Sequence, residues 1–250
     1  MKMLFKKVHL YLYQGSVGLF YFLFWPLLYY FSRKAERYKN MNAVRRVWGL
    51  VSSFCVGIRY KYQFEQPIDW SKTYIVCPNH TSNLDITALS ILVKSNCCFM
   101  GKEELVDGLV TRLFFRTVDI PVNRESKIAS FRAFKVAMER LGNGTTVIIF
   151  PEATIPDLYP PQLHSFKNGP FRMAIELNVP IIPVTSLNTW EIFWDDGSKY
   201  GSKPGVCDIF VHKPIETAHL TIDDADALRD EVHAIISNKI NEHDHRRTNG

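Results

Sequence analysis

Residues 8–31, VHLYLYQGSVGLFYFLFWPLLYYF, run for 24 positions without a Lys, Arg, Asp or Glu. No other feature of the 250-residue chain restricts it as much. About 20 apolar residues suffice for a helix to cross a bilayer, so the stretch is long enough to span. Ten of the 24 residues are Phe, Tyr or Trp, a density that suits the headgroup boundary better than the hydrocarbon midplane. Lys2, Lys6 and Lys7 precede the stretch, and Arg33, Lys34, Arg37 and Lys39 follow it. Positive charge at both ends gives no orientation, and it fits a helix lying in one leaflet as well as a span. The stretch is too long for the apolar part of a secretory signal, and no small-x-small cleavage site lies before the basic residues.

Charge sharpens this picture. Residues 1–46 hold nine Lys/Arg and one Glu, a net +8, whereas the whole chain is only +5. An excess flanking an apolar segment points to anionic lipid, and it argues against nucleic acid as a partner. Within 41–58, Val44, Val47, Trp48, Val51, Phe54, Cys55 and Ile58 recur at helical spacing. Two readings fit: a helix packed on the core, or a second membrane-lying helix with Arg45 and Arg46 reaching headgroups. Five cysteines without a C-x-x-C pair support neither a disulfide framework nor a zinc site, and they suit a reducing, cytoplasmic compartment.

From residue 59 the pattern is that of an α/β domain. Strands are predicted at 60–65, 74–77, 97–100, 119–122, 145–150, 180–187 and 206–213. Helices are predicted at 84–93, 126–141, 169–177 and 221–240. The helix at 126–141 is expected to turn Ile128, Phe131, Met138 and Leu141 inward. Residues 153–167 form a long loop, and the tail after 240 is expected to fray. Alternating strands and helices give a layered α/β domain at 59–250, a mixed β-sheet flanked by helices, preceded by membrane-associating helices at 1–58.

Three segments can carry chemistry. In Pro78-Asn79-His80-Thr81-Ser82-Asn83-Leu84-Asp85, His80 follows a buried strand and Asp85 opens the next helix. On one continuous helix the two side chains would lie about 140° apart. A turn between them lets Asp85 fold back, fix the imidazole tautomer and leave the other nitrogen to take a proton. The same residues also make an ordinary helix cap, with Asn79, Ser82 or Asn83 as the capping residue. Glu152 lies one residue beyond the strand ending at Phe150, after Pro151, where open α/β sheets bind ligands. Arg124 follows another short strand and suits either an anion or a surface ion pair.

In order along the chain, these segments resemble the glycerolipid acyltransferase family, which includes the 1-acyl-glycerol-3-phosphate acyltransferases. Asn79, His80 and Asp85 match N-H-x4-D, and Lys102-Glu103-Glu104-Leu105 with Arg124 match the second block. Phe150-Pro151-Glu152-Ala153-Thr154-Ile155 match F-P-E-G-T-R except at Ala153 and Ile155. Val179-Pro180-Ile181-Ile182-Pro183-Val184 match the fourth block, and Phe166-Lys167-Asn168-Gly169 resemble F-K-x-G. The resemblance covers about residues 60–215.

It implies an O-acyltransferase at the cytoplasmic membrane, with its catalytic domain on the cytoplasmic face. The acyl donor is a thioester on acyl carrier protein or coenzyme A, and the acceptor is a lysolipid. His80 and Asp85 are the catalytic pair. Lys102, Arg124, Glu152, Thr154, Lys167 and Gly169 bind substrate, and no metal or redox cofactor is needed. Asp85→Asn is expected to be nearly as damaging as loss of His80, through the tautomer. The family's third-block Arg is associated with the acceptor phosphate, so Ile155 leaves room for another lysolipid, such as a lyso-ornithine or glycine lipid. A thioesterase and an inactive membrane-binding module are further alternatives.

Overall fold

A computed structural model describes residues 2–248. Seven strands form one mixed sheet: β1 (Ile58–Phe64), β2 (Ile75–Pro78), β3 (Cys97–Lys102), β4 (Ile120–Val122), β5 (Thr146–Ile149), β6 (Ile181–Ser186) and β7 (Gly205–Val211). Their order is β1-β7-β6-β2-β5-β3-β4. From β6 to β4 all neighbours are parallel, while β7 runs antiparallel to β6 and β1 parallel to β7. The carboxyl ends of β2 to β6 therefore share one edge, where such sheets bind ligands.

Eight helices accompany the sheet among the described residues: α1 (Lys2–Ser32), α2 (Tyr38–Phe54), α3 (Leu84–Leu92), α4 (Arg112–Phe115), α5 (Lys127–Gly142), α6 (Gly169–Glu176), α7 (Thr189–Ile192) and α8 (Ala225–Thr248). Strand residues alternate between two cores. Ile75, Cys77, Met100 and Val147 pack with α5, α6 and α8, whereas Val76, Phe99, Ile148 and Ile182 pack with α3.

Only α1 is long and apolar enough to cross a membrane among the described residues, and little of it is buried. It nevertheless bonds to the domain. The Val56 carbonyl accepts from His9 Nε2 at 2.9 Å, so His9 Nδ1 accepts the Ser202 hydroxyl at 2.7 Å. Trp48 Nε1 donates to the Val17 carbonyl, and Tyr21, Trp48 and Phe114 form a run of ring contacts.

Four expectations need correction. The body-facing side of α2 is partly polar. Arg45 is buried, donates to Asp119 at 2.9 Å and lies over the Phe114 ring, while Arg46 donates to the Val93 carbonyl at 2.6 Å. Neither arginine points at headgroups, because Asp119 and the loop carbonyls are nearer acceptors. Along the apolar stripe, Val44 and Trp48 pack inward but Val47 and Phe54 stay exposed. On helix α5, Leu141 is buried and Met138 packs on the core as expected, but Ala133 and Ala137 complete the inward face, leaving Ile128 and Phe131 69% and 72% exposed. Alanines at i and i+4 let the helix sit close to the sheet, and no room remains for the larger side chains. Helix α8 continues through Thr248 where fraying was expected after 240, and residues 249–250 of that tail lie outside the described residues.

Candidate active site

The His80 turn is built by side chains that extend the sheet beyond its last backbone pair. Asn79 Oδ1 accepts from the Ser186 N–H at 2.7 Å and Nδ2 donates to the Ser186 carbonyl at 3.1 Å, as a strand residue would. The chain then bends through residues 80–83 into α3. There the Ser82 hydroxyl accepts the Leu84 N–H at 3.0 Å and donates to the Phe193 carbonyl. The Asn83 N–H donates to the Asp195 carbonyl at 3.0 Å.

Asp85 sits under this turn with no exposed surface. Its Oδ2 accepts from Thr81 N at 2.8 Å, Ser82 N at 2.9 Å and His80 Nδ1 at 3.1 Å. Its Oδ1 accepts the Thr189 hydroxyl at 2.8 Å. A buried carboxylate persists only with such partners. Because an ionised carboxylate can only accept, the His80 proton stays on Nδ1, and Nε2 is the nitrogen offered to a substrate. The His80 ring is stacked on Phe150 at 3.9 Å between centroids. Thr189 was not legible in the sequence: it lies 104 residues from Asp85, and no local motif announces it.

Glu152 is 4% exposed and holds two backbone amides. Its Oε1 accepts the His80 N–H at 2.7 Å and its Oε2 the His164 N–H at 2.8 Å. Burial pushes its carboxyl up from 4.5 to about 7, the two amides work against this, and the Asp85 charge adds a little. The Lys167 N–H donates to the Pro151 carbonyl at 2.9 Å, so the long loop is closed at its neck in the manner of an Ω-loop. Ala153, the residue standing for the motif's Gly, has φ of +66°.

A groove of about 580 Å³ is lined by Arg124, Glu152, Ala153, Thr154, Leu163, His164, Ser165 and Lys167, a size suited to a small ligand. Arg124 and Lys167 are its two cations. Partial burial lowers the Arg124 pKa, and Glu104 opposes that shift. Lys102 is not in this groove. It lies exposed at the end of β3, within electrostatic reach of Asp195, whose carboxyl is raised first by burial and lowered by His80 and Lys102. Gly169 is also outside the groove lining. A Cβ there would stand 2.4 Å from the Phe134 ring, so its smallness serves the contact of α6 with α5. Cys77 has no exposed surface, and burial pushes its thiol well up, so it offers no thiolate. Among the described residues no three His, Cys, Asp or Glu side chains converge to hold a metal.

A family model described as Acyltransferase matches residues 59–187. The 1-acyl-sn-glycerol-3-phosphate acyltransferase alpha of Mus musculus is 28% identical over 203 residues, covering 80% of this chain and 69% of that protein. The 1-acyl-sn-glycerol-3-phosphate acyltransferase of Haemophilus influenzae is 26% identical, covering 82% and 83%. The solved 1-acyl-sn-glycerophosphate acyltransferase from Thermotoga maritima superposes with a TM-score of 0.80 over 97% of both chains at 21% identity, which speaks for the fold.

Proposed function

The chain belongs to the acyltransferase family and is an O-acyltransferase, and on that premise we propose that it acylates the free hydroxyl of 1-acyl-glycerol-3-phosphate, yielding phosphatidic acid for phospholipid synthesis. The donor in this reading is a fatty acyl thioester on acyl carrier protein or coenzyme A. The observation that carries the reading is the Asp85-held His80, joined through Glu152 to a groove that offers Arg124 and Lys167.

His80 Nε2 takes the hydroxyl proton as the oxygen attacks the thioester carbonyl. Asp85 stabilises the imidazolium that forms. Collapse of the tetrahedral intermediate breaks the C–S bond, and the departing thiolate takes the proton back from the ring. A thioester needs no enzyme nucleophile, consistent with the buried thiol of Cys77. Arg124 and Lys167 hold the acceptor phosphate by charge-assisted hydrogen bonds. Thr154 lines the same groove, Glu152 fixes its shape, and Lys102 acts from the His80 side. The lysolipid reaches the groove from the cytoplasmic leaflet, to which α1 holds the enzyme. Ile155, uncharged beside Thr154, favours one second reading, a lyso-ornithine or glycine lipid as acceptor.

The test is the purified full chain with labelled acyl donor and a panel of lysolipids, products being read by mass. Arg124→Ala is expected to raise KM for lysophosphatidic acid by about 10–150-fold, the worth of one charged hydrogen-bond partner, and to leave a phosphate-free acceptor nearly unchanged. Equal weakening of all acceptors makes Arg124 structural. A wild-type preference for the lyso-amino-acid lipid replaces the first substrate with the second.

A further inference from the structure

Helix α5 presents to water a face that its fold leaves uncovered. Ile128 and Phe131 are more than two-thirds exposed, while the core beneath them is supplied by Ala133, Ala137 and Leu141. Lys127, Arg132 and Lys135 are exposed beside them, and Glu139 is the one acid in the helix. At about 100° per residue these six side chains fall within half of the helix circumference.

This face borders the groove. Helix α5 begins three residues after Arg124, and Phe134 packs on Gly169, two residues from Lys167. The loop that gives Thr154 and His164 to the groove carries two further exposed hydrophobic side chains, Leu158 and Tyr159. An aromatic and an aliphatic side chain among three long cations, with a single acid, is the composition of a helix that lies on anionic lipid. Lysine and arginine stems lie along such a surface while their heads reach the phosphates.

We infer that the outer face of α5 is a second membrane contact, separate from α1, and that its occupant is an anionic bilayer surface. Two contacts on different elements fix a plane more firmly than one helix, and they turn the mouth of the groove toward the lipid. The purpose of the contact rests on the proposed lipid acceptor, but the contact itself is read without any reaction.

The test uses the full chain in nanodiscs containing anionic lipid. Cys55 is the one exposed cysteine, so Cys55→Ser gives a background for a polarity-sensitive dye at Phe131→Cys or, as control, at Lys61→Cys on the opposite sheet edge. Brominated lipid is expected to quench most of the emission at 131 and to leave 61 unchanged. In the same chain, Ile128→Ser with Phe131→Ser is expected to raise KM for vesicle-borne acceptor by about tenfold or more, the factor for returning one large apolar side chain to water. Turnover of a dispersed short-chain acceptor should not change. An unquenched dye at 131, or wild-type kinetics of the double variant on vesicles, overturns the inference. So does a dye shielded by self-association without lipid, which assigns the face to a second copy of the chain. Failure of the chain to use lysophosphatidic acid leaves the quenching result standing.

Discussion

Replacing Asp85 by Asn separates two functions of the carboxylate. Three N–H groups converge on Oδ2, those of Thr81, Ser82 and the His80 ring, so an oxygen must remain there. The new NH₂ then faces Thr189 Oγ1, which can accept from it and turn its own proton to Thr81 Oγ1, 3.0 Å away. The imidazole keeps its tautomer, while the Thr81 hydroxyl proton and the second amide N–H give up or lack an acceptor, a cost that falls on stability rather than on the ring. What disappears is the negative charge opposite the imidazolium. A hydrogen bond to a charged group is worth roughly 1.5–3 kcal/mol, which at about 1.36 kcal/mol per decade is about 10–150-fold in rate. In the serine-protease triad the corresponding amide inverts the tautomer and costs about 10⁴. The hydrogen bonding here therefore lowers the damage expected from the motif alone. The assay is the initial rate of acyl transfer from labelled thioester to lysophosphatidic acid in mixed micelles, beside His80→Ala. A loss in kcat within the smaller range, with KM held, fits the argument. A loss matching that of His80→Ala, near 10⁴, refutes it, because the amide must then have turned its NH₂ to the ring. A loss below about threefold shows that the charge is not used.

Three further outcomes are expected. Ala153→Gly should raise thermal stability by about 1 kcal/mol, because a left-handed φ of +66° strains any residue with a Cβ; calorimetry showing no gain would refute that strain. Glu152 binds a proton in the folded chain between about pH 4.5 and 7 that the unfolded chain has lost, so its contribution is full below pH 4.5 and falls as pH rises, by about 3 kcal/mol in all. Denaturant titrations of Glu152→Gln should lack that slope, although the Gln amide leaves one of the two N–H donors without an acceptor. Arg45→Ala should destabilise the chain by about 3–5 kcal/mol by leaving the buried Asp119 carboxylate without its ion-pair partner and with the Phe99 N–H as its remaining hydrogen bond, and a loss under about 1 kcal/mol would show that the pair is relaxed by water.

The order of motifs made the site legible in part. His80, Asp85 and Glu152 are close in sequence to the ends of apolar strands, and a strand followed by polar residues is visible in a single sequence. Asn79 reads as a capping residue, yet its amide zips β2 to Ser186 across 107 residues. Thr189 and the Phe193 carbonyl are equally distant, so no local spacing finds them. Lys102, Arg124 and Lys167 look alike as cations after strands or loops, but only the latter two share a groove. On α5, Ile128 and Phe131 mislead where Met138 and Leu141 do not, because a large apolar side chain reads as core and an alanine does not. The choice between the two readings of α2 is not local, because the partner that buries Arg45, Asp119, lies 74 residues away.

The bonds made by α1 have a mechanical consequence. The Lys6 carbonyl accepts the Ser202 N–H, and Tyr13 packs edge-on against Phe193. The Phe193 carbonyl in turn receives the Ser82 hydroxyl, and the Asp195 carbonyl receives the Asn83 N–H. The long apolar helix and the turn bearing His80 are thus joined through one short segment, as the two arms of a lever share a pivot. A displacement of α1 is expected to reach the imidazole as a displacement of its ring. Cutting the chain before Arg59 removes one arm entirely, and with it the support of Phe193. The remaining domain should turn over slowly even when its acceptor is dissolved in water and no membrane is there to be missed.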